Sequence, residues 1–298
     1  MSGVLDSHLH VWDLDVSDYS WLGPQHGALH RSFSPAEAAL HLAAADIDGA
    51  VLVQAEDSET DTAYLLEVAA RFGFVVGVVG WVRLDKPGAA REQLDVYGHR
   101  LCGVRHLVHV DPRDNFLELP QVLESLRLLA ERGLPFDVPD AWPRHWAAVM
   151  HLADVLPNLT VVVDHLGKPP REAEDMATWA TALRAAAVRP NVVAKLSGLQ
   201  APGRPFTVTA LRPIFEVALD AFGAERLMYG GDWPMTVPDG GYRKHWSVMR
   251  ALLSELSPDE RRAIEHGTAE AVYAISMSRL TDQSPTDADR LRAITKDV

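Results

Sequence analysis

The chain has 298 residues, 47% of them hydrophobic and 23% charged, which is enough apolar content for one large core or two modest ones. It carries 28 Lys+Arg against 41 Asp+Glu, a net charge of −13, and this argues against nucleic acid or an anionic membrane as partner, since both need a basic footprint. A single cysteine, Cys102, excludes an intrachain disulfide; with no secretory pattern and no apolar run near the ~20 residues of a membrane span, a soluble, cytoplasmic protein is expected.

Eight short apolar runs read as strands in chain order. They are "VLDSHLH" (4–10), "GAVLVQA" (49–55), "VVGVVGWV" (75–82), "LCGVRHL" (101–107), "LPFDVP" (134–139), "LTVVVDHLG" (159–167), "NVVAKLSG" (191–198) and "RLMYGGDWP" (226–234). Helical patterns separate most of them. Ser34 is placed as the N-cap of "SPAEAALHLAAAD", with Pro35 at the first helical position and Glu37 closing a capping box. The helix of "ELPQVLESLRLLAERG" ends at Gly133, and Ser257, Pro258 and Glu260 repeat the capping arrangement. The acidic run 55–61 reads as a helix N-terminus.

Near-continuous apolar strands alternating with helices indicate a parallel sheet covered by helices. Eight such units in this length fit an α/β fold, a distorted (β/α)8 TIM barrel forming a single domain over residues 1–280. An open doubly wound sheet is the alternative, weakened by the lack of G-x-G-x-x-G after the first strand. The polar stretch 281–298 is expected to be a peripheral tail, and residues 11–33 and 232–248 to be loops at the barrel mouth.

In such a barrel the active site lies at the C-terminal ends of the strands. Those ends present His8 and His10, Gln54, Trp81, Arg105, Asp137, His165, Lys195 with Ser197, and Asp232. On a strand His8 and His10 share one face. A bare H-x-H is commonplace, but His165 and Asp232 complete a set of three imidazoles and one carboxylate, a sensible donor set for one Zn2+. The same four groups also suit metal-free chemistry, with Asp232 deprotonating water and a histidine polarising a carbonyl.

Other strand-end groups carry two readings each. Arg105 suits a substrate carboxylate or ring oxygen, or an ordinary ion pair. Lys195 is assigned to substrate, or to a buried pair with Asp137 or Asp164. Asp164, next to His165, is expected by alternation to point away from the pocket. Of His106 and His109, one is expected to reach the pocket. Trp12, Trp21, Trp81, Trp233 and Trp246 supply candidate aromatics for a rim around a ring-shaped substrate.

Taken together, "DSHLHVWD", "YSWL", "VLVQAEDS", "GVVGWVRLD", "GVRH", "VVVDHLGKP", "AKLSGL" and "MYGGDWP" resemble the amidohydrolase superfamily. The resemblance is closest to its lactonase branch, which includes fuconolactone, rhamnonolactone and pyrone-dicarboxylate hydrolases, and it extends to about residue 275. It implies a distorted barrel that hydrolyses a lactone ester, with His8, His10, His165 and Asp232 as catalytic and metal-binding residues. Gln54 and Arg105 then fall on pocket positions, and Trp81 and Lys195 are added as substrate contacts. Many metal-dependent members carry a fifth-strand His or modified Lys, where this chain reads "LPFDVPD"; one zinc ion or none therefore fits better than two. Two other readings were weighed, a metal-dependent decarboxylase of an aromatic or heterocyclic acid and a barrel that only binds a ligand. The expected partner is a small lactone, with a homodimer as the base-rate oligomer.

Overall fold

A computed structural model describes residues 3–170 and 173–277 of the chain. The expected tail at 281–298 lies outside the described residues. Strands β1 (Leu5–Leu9), β2 (Gly49–Val53), β3 (Val75–Gly80), β4 (Gly103–Arg105), β5 (Phe136–Val138), β6 (Val161–Val163), β7 (Val192–Leu196) and β8 (Leu227–Tyr229) form one sheet in that order. Every pairing is parallel, and each strand falls within a run read from the sequence. Helices α1 (Pro35–Ala44), α2 (Glu59–Arg71), α3 (Pro87–Tyr97), α4 (Pro120–Glu131), α5 (Trp146–Val155), α6 (Ala173–Ala187), α7 (Val208–Phe222) and α8 (Gly241–Leu253) follow the strands in turn. Two short helices, α9 (Pro258–Arg262) and α10 (Thr268–Tyr273), come last. The architecture is a (β/α)8 TIM barrel. Among the described residues no helix is long and apolar enough to cross a membrane.

Alternation along each strand divides the core in two. Ala50 and Leu52, Val161 and Val163, and Leu227 and Tyr229 face the helices, while Val51, Val53, Val162, Val193 and Met228 face the barrel interior. Ala269 and Tyr273 of α10 join the interior cluster, plugging the end opposite the strand exits. On β1 a register shift between Asp6 and Leu9 changes which residues look inward. Leu5 faces inward below the shift and His8 and His10 face inward above it.

The β8–β1 seam closes without a regular ladder. Ser7 Oγ donates to Tyr229 O (2.6 Å), Asp232 N to His8 O (2.7 Å) and His10 N to Trp233 O (2.8 Å). Asp6 adds a bracket: Oδ1 accepts from His8 N (2.9 Å) and Gly231 N (2.7 Å), and Oδ2 from the Tyr242 hydroxyl (2.8 Å). A Cβ on Gly230 would come within 2.6 Å of His8 Cβ, so only glycine allows this approach.

Local signals hold in detail with three corrections. Ser34 caps α1, but the Glu37 carboxylate turns to Arg31 (2.6 and 2.9 Å) instead of closing a capping box. The box at Ser257 and Glu260 forms on both sides. The segment 232–248 is a loop only in its first half, because α8 begins at Gly241. The aromatics expected at the rim are mostly core: Trp12 and Trp233 are fully buried, with Phe33 edge-on to both at 5.1 and 5.3 Å. Once 11–33 folds back through the Trp12–Phe33 bridge, apolar surface that would have faced solvent is covered.

Above the apolar plug lies a buried ionic layer. Lys195 Nζ is 2.6 Å from Asp137 Oδ2, 3.1 Å from Asp164 Oδ1 and 3.1 Å from His8 Nδ1, and the Tyr273 hydroxyl donates to Asp137 Oδ2 (2.7 Å). Burial works against the ammonium charge, but the two carboxylates prevail and hold the Lys195 pKa above its ordinary value. Replacing Lys195 by Met should strip the counter-charge from two buried carboxylates and destabilise the fold by about 3–5 kcal/mol, read from urea unfolding. A loss below about 1 kcal/mol would show that the layer is not ionic.

Candidate active site

His8 and His10 leave β1 on the inner face with their Nε2 atoms 3.1 Å apart. His10 Nδ1 lies 2.7 Å from Val53 O, and a carbonyl only accepts, so Nδ1 carries the proton and Nε2 keeps its lone pair. Burial lowers the pKa of His8, His10 and His165, so these rings are neutral near pH 7.

Asp232 follows β8 with a left-handed backbone (φ 51°), which swings its carboxylate over the β1 histidines. Oδ1 is 3.6 Å from His10 Nε2 and 3.9 Å from His8 Nε2, while Oδ2 accepts from Gln200 Nε2 (2.9 Å). Burial alone would raise its pKa, yet attraction to the imidazoles of His165, His10 and His8 in their protonated form outweighs that and holds it below its ordinary value.

His165 stands on a second strained turn. It and Leu166 both adopt left-handed conformations (φ 57° and 54°) immediately after β6. Its ring lies edge-on to His8 at 4.6 Å, and Nδ1 is 2.8 Å from Ser197 Oγ. Gly198 (φ 56°) gives that ring room, because a Cβ there would overlap it.

Two groups of donors are close enough to share an ion among the described residues: His8, His10 and Asp232, and His8, Asp164 and His165. The first has the nitrogen and oxygen chemistry of a zinc site, and its separations suit one ion with bonds of about 2.0–2.2 Å. Of the four residues expected from the sequence, His8, His10 and Asp232 converge, and His165 stands edge-on to His8 beside them.

Asp164 departs from the expectation. It does not point away; it reaches His8 Nδ1 (3.4 Å), Lys195 Nζ (3.1 Å) and Arg105 Nη1 (3.3 Å). Strand alternation from inward Val162 already turns Asp164 inward, and the left-handed step at His165 turns the next side chain inward too. Of the two readings of Lys195, substrate contact or a buried pair, the structure shows the pair: it is fully buried with Asp137, Asp164 and His8 as partners. Asp137 lies in the same layer.

Arg105 is buried at the β4 exit. Nη1 lies 3.3 Å from both His8 Nε2 and Asp164 Oδ2, Nη2 donates to Gln54 O (2.5 Å), and Nε has no partner. Gln54 Nε2 donates to Asp57 Oδ1 (3.0 Å) and Arg105 O (3.2 Å). Trp81 is likewise buried, with its indole nitrogen 3.3 Å from His106 Nδ1. His106 sits between Asp57 and Asp111 (3.2 Å each) and stacks on Phe116, while His109 is the exposed member of the pair.

Sequence reasoning missed Gln200 and Asp6. Gln200 lies three residues beyond Ser197, just past the quoted "AKLSGL"; Asp6 sits two positions before His8, within the first quoted strand. A carboxylate inside an apolar strand was the available signal for Asp6.

Comparison with known proteins accords with this geometry. The family model described as amidohydrolase matches residues 5–275. The chain is 35% identical over 298 residues to an L-fucono-1,5-lactonase of Burkholderia multivorans, covering 91% of this chain and 96% of the relative. It is 31% identical over 277 residues to an L-fucono-1,5-lactonase of Burkholderia ambifaria, covering 91% and 95%. A crystal structure of an amidohydrolase from Burkholderia multivorans with bound zinc superposes with a TM-score of 0.83 at 32% identity, covering 92% of this chain and all of that one. Barrel, strand-end histidines and matched length lead to one conclusion: this chain belongs to the amidohydrolase family.

Proposed function

We propose that the chain hydrolyses the ring ester of a small lactone, of the sugar-acid kind on which its named relatives act, with Asp232 as the general base. One observation carries the reading. An ionised carboxylate is pinned through Oδ2 by Gln200 and turns Oδ1 toward two neutral imidazole Nε2 atoms. That arrangement holds a water-sized nucleophile and removes its proton.

The chemistry divides among the chain's own groups. Asp232 takes a proton from water as the oxygen attacks the lactone carbonyl carbon. His165, fixed through Nδ1 by Ser197, has Nε2 left for the carbonyl oxygen, and Arg105 adds positive charge where negative charge develops. When the ring C–O bond breaks, Asp232 returns its proton to the departing ring oxygen, and the product is a hydroxy acid. His8, His10 and Asp232 would hold a zinc ion. Bound there, it would polarise the carbonyl and lower the pKa of water.

Replacing Asp232 by Asn should lower kcat by roughly 10²–10⁴-fold with the unfolding midpoint little changed. Proton release on a panel of sugar-acid lactones measures this, and near-normal turnover would end the general-base role. The same assay after chelation tests the metal: if zinc is required, turnover falls and added Zn2+ restores it, whereas full activity without metal leaves catalysis to the side chains alone. Gly198→Ala should displace His165, costing about 1–2 kcal/mol for the left-handed alanine and roughly 10²-fold in rate. Unaltered kinetics in that variant would detach His165 from the reaction.

A further inference from the structure

Polar atoms left without partners mark where a ligand would bond. Among the described residues, four such buried atoms lie at or just beyond the ends of β2, β4, β5 and β7: Gln54 Oε1, Arg105 Nε, Asp140 Oδ1 and Gln200 Oε1. Both glutamine amides are oriented by their neighbours. Gln54 Nε2 faces Asp57 Oδ1 and Arg105 O, and Gln200 Nε2 faces the ionised Asp232, so each amide must present its oxygen elsewhere. Three of the four vacant positions are therefore acceptors.

Asp140 is the carboxylate among those acceptors. It follows β5 in a left-handed conformation (φ 47°), like His165, Lys168 and Asp232 at neighbouring strand exits. Because β5 lies between β4 and β6 in the sheet, Asp140 stands on the wall between their exits. The Lys168 ammonium donates to Gly198 O (3.0 Å), and Asp140 Oδ1 has no hydrogen-bond partner.

We propose that Asp140 is a specificity-determining residue. Together with Gln200 Oε1 and Gln54 Oε1 it accepts hydrogen bonds from ring hydroxyls, so the site selects an uncharged, polyhydroxylated lactone over a carboxylated one. A carboxylate offers only acceptors and would bring like charge to Asp140 and Asp232. Hydroxyls supply the donors that all three positions lack. The inference rests on the lactonase reading for its substrate and on the orphaned acceptors for its selectivity.

The test compares wild type, Asp140→Ala and Asp140→Asn on an aldono-1,5-lactone and on hydroxyl-free δ-valerolactone. The preference for the hydroxylated ring, as a ratio of kcat/KM values, should fall roughly 10–100-fold in Asp140→Ala, as expected for a hydrogen bond to a charged group. Asp140→Asn, which keeps one acceptor oxygen, should retain part of that preference. An equal fall on both lactones would overturn the proposal, since Asp140 would then act only through the fold or through His165. Efficient wild-type turnover of a dicarboxylated pyrone lactone would overturn it as well.

Calorimetric binding of a non-hydrolysable aldonolactam separates the two layers of inference. If wild type hydrolyses neither lactone but binds the lactam, and Asp140→Ala does not, the hydroxyl-recognition role stands while the lactonase reading falls. Equal lactam binding by both proteins overturns the role of Asp140.

Discussion

The Lys195 ammonium, enclosed by Asp137, Asp164 and His8, is the constraint from which the rest of the site is built. A charge so deep is tolerable only when fixed opposite charges replace its lost hydration. Those partners come from β5, β6 and β1, so one buried cation ties together strands far apart in the chain. It also engages His8 Nδ1, which leaves Nε2 as the atom turned toward His10 and Asp232. The rings above it are thus oriented by an ionic floor that substrate does not touch.

Above that floor the geometry depends on backbone conformations that ordinary strands do not adopt. Asp140, His165, Lys168 and Asp232 are all left-handed, and each follows a strand that has just ended. The strain bends consecutive side chains into one space, as with Asp164 and His165. At the seam, Asp6 holds the backbone of His8 and Gly231 on one carboxylate oxygen, so barrel closure and the approach of Asp232 to the histidines are one event. Burial pushes the Asp6 pKa up to about 7 even though three donors favour its charge.

Much of this was legible in the sequence because strand periodicity is simple. Short apolar runs marked all eight strands, and a spacing of two put His8 and His10 on one face whatever the register below them. The same rule failed for Asp164, since alternation was counted from His165, whose left-handed turn no residue pattern announced. Gln200 was invisible for a different reason. Its role arises from an amide crossing between two loops to Asp232, and loop geometry follows from tertiary packing rather than local propensity. Glu37 shows the reverse case, where a correct local signal yields to a nearer bidentate partner in Arg31. The tryptophans were misplaced because composition reveals aromatic content but not the fold-back of 11–33 that buries it.

The plug formed by α10 has a consequence for the order in which the protein is made. Tyr273 donates to Asp137, and its ring lies 5.3 Å from Lys195 Nζ, so the ionic floor is completed by a residue synthesised long after the strands it supports. A nascent chain that has exposed every strand and both β1 histidines can set Lys195 beside Asp137 but still lacks the Tyr273 hydroxyl, the second donor to Asp137 Oδ2. Completion of the ionic floor therefore waits on α10, the last helix among the described residues, which docks beneath strands that precede it in the chain.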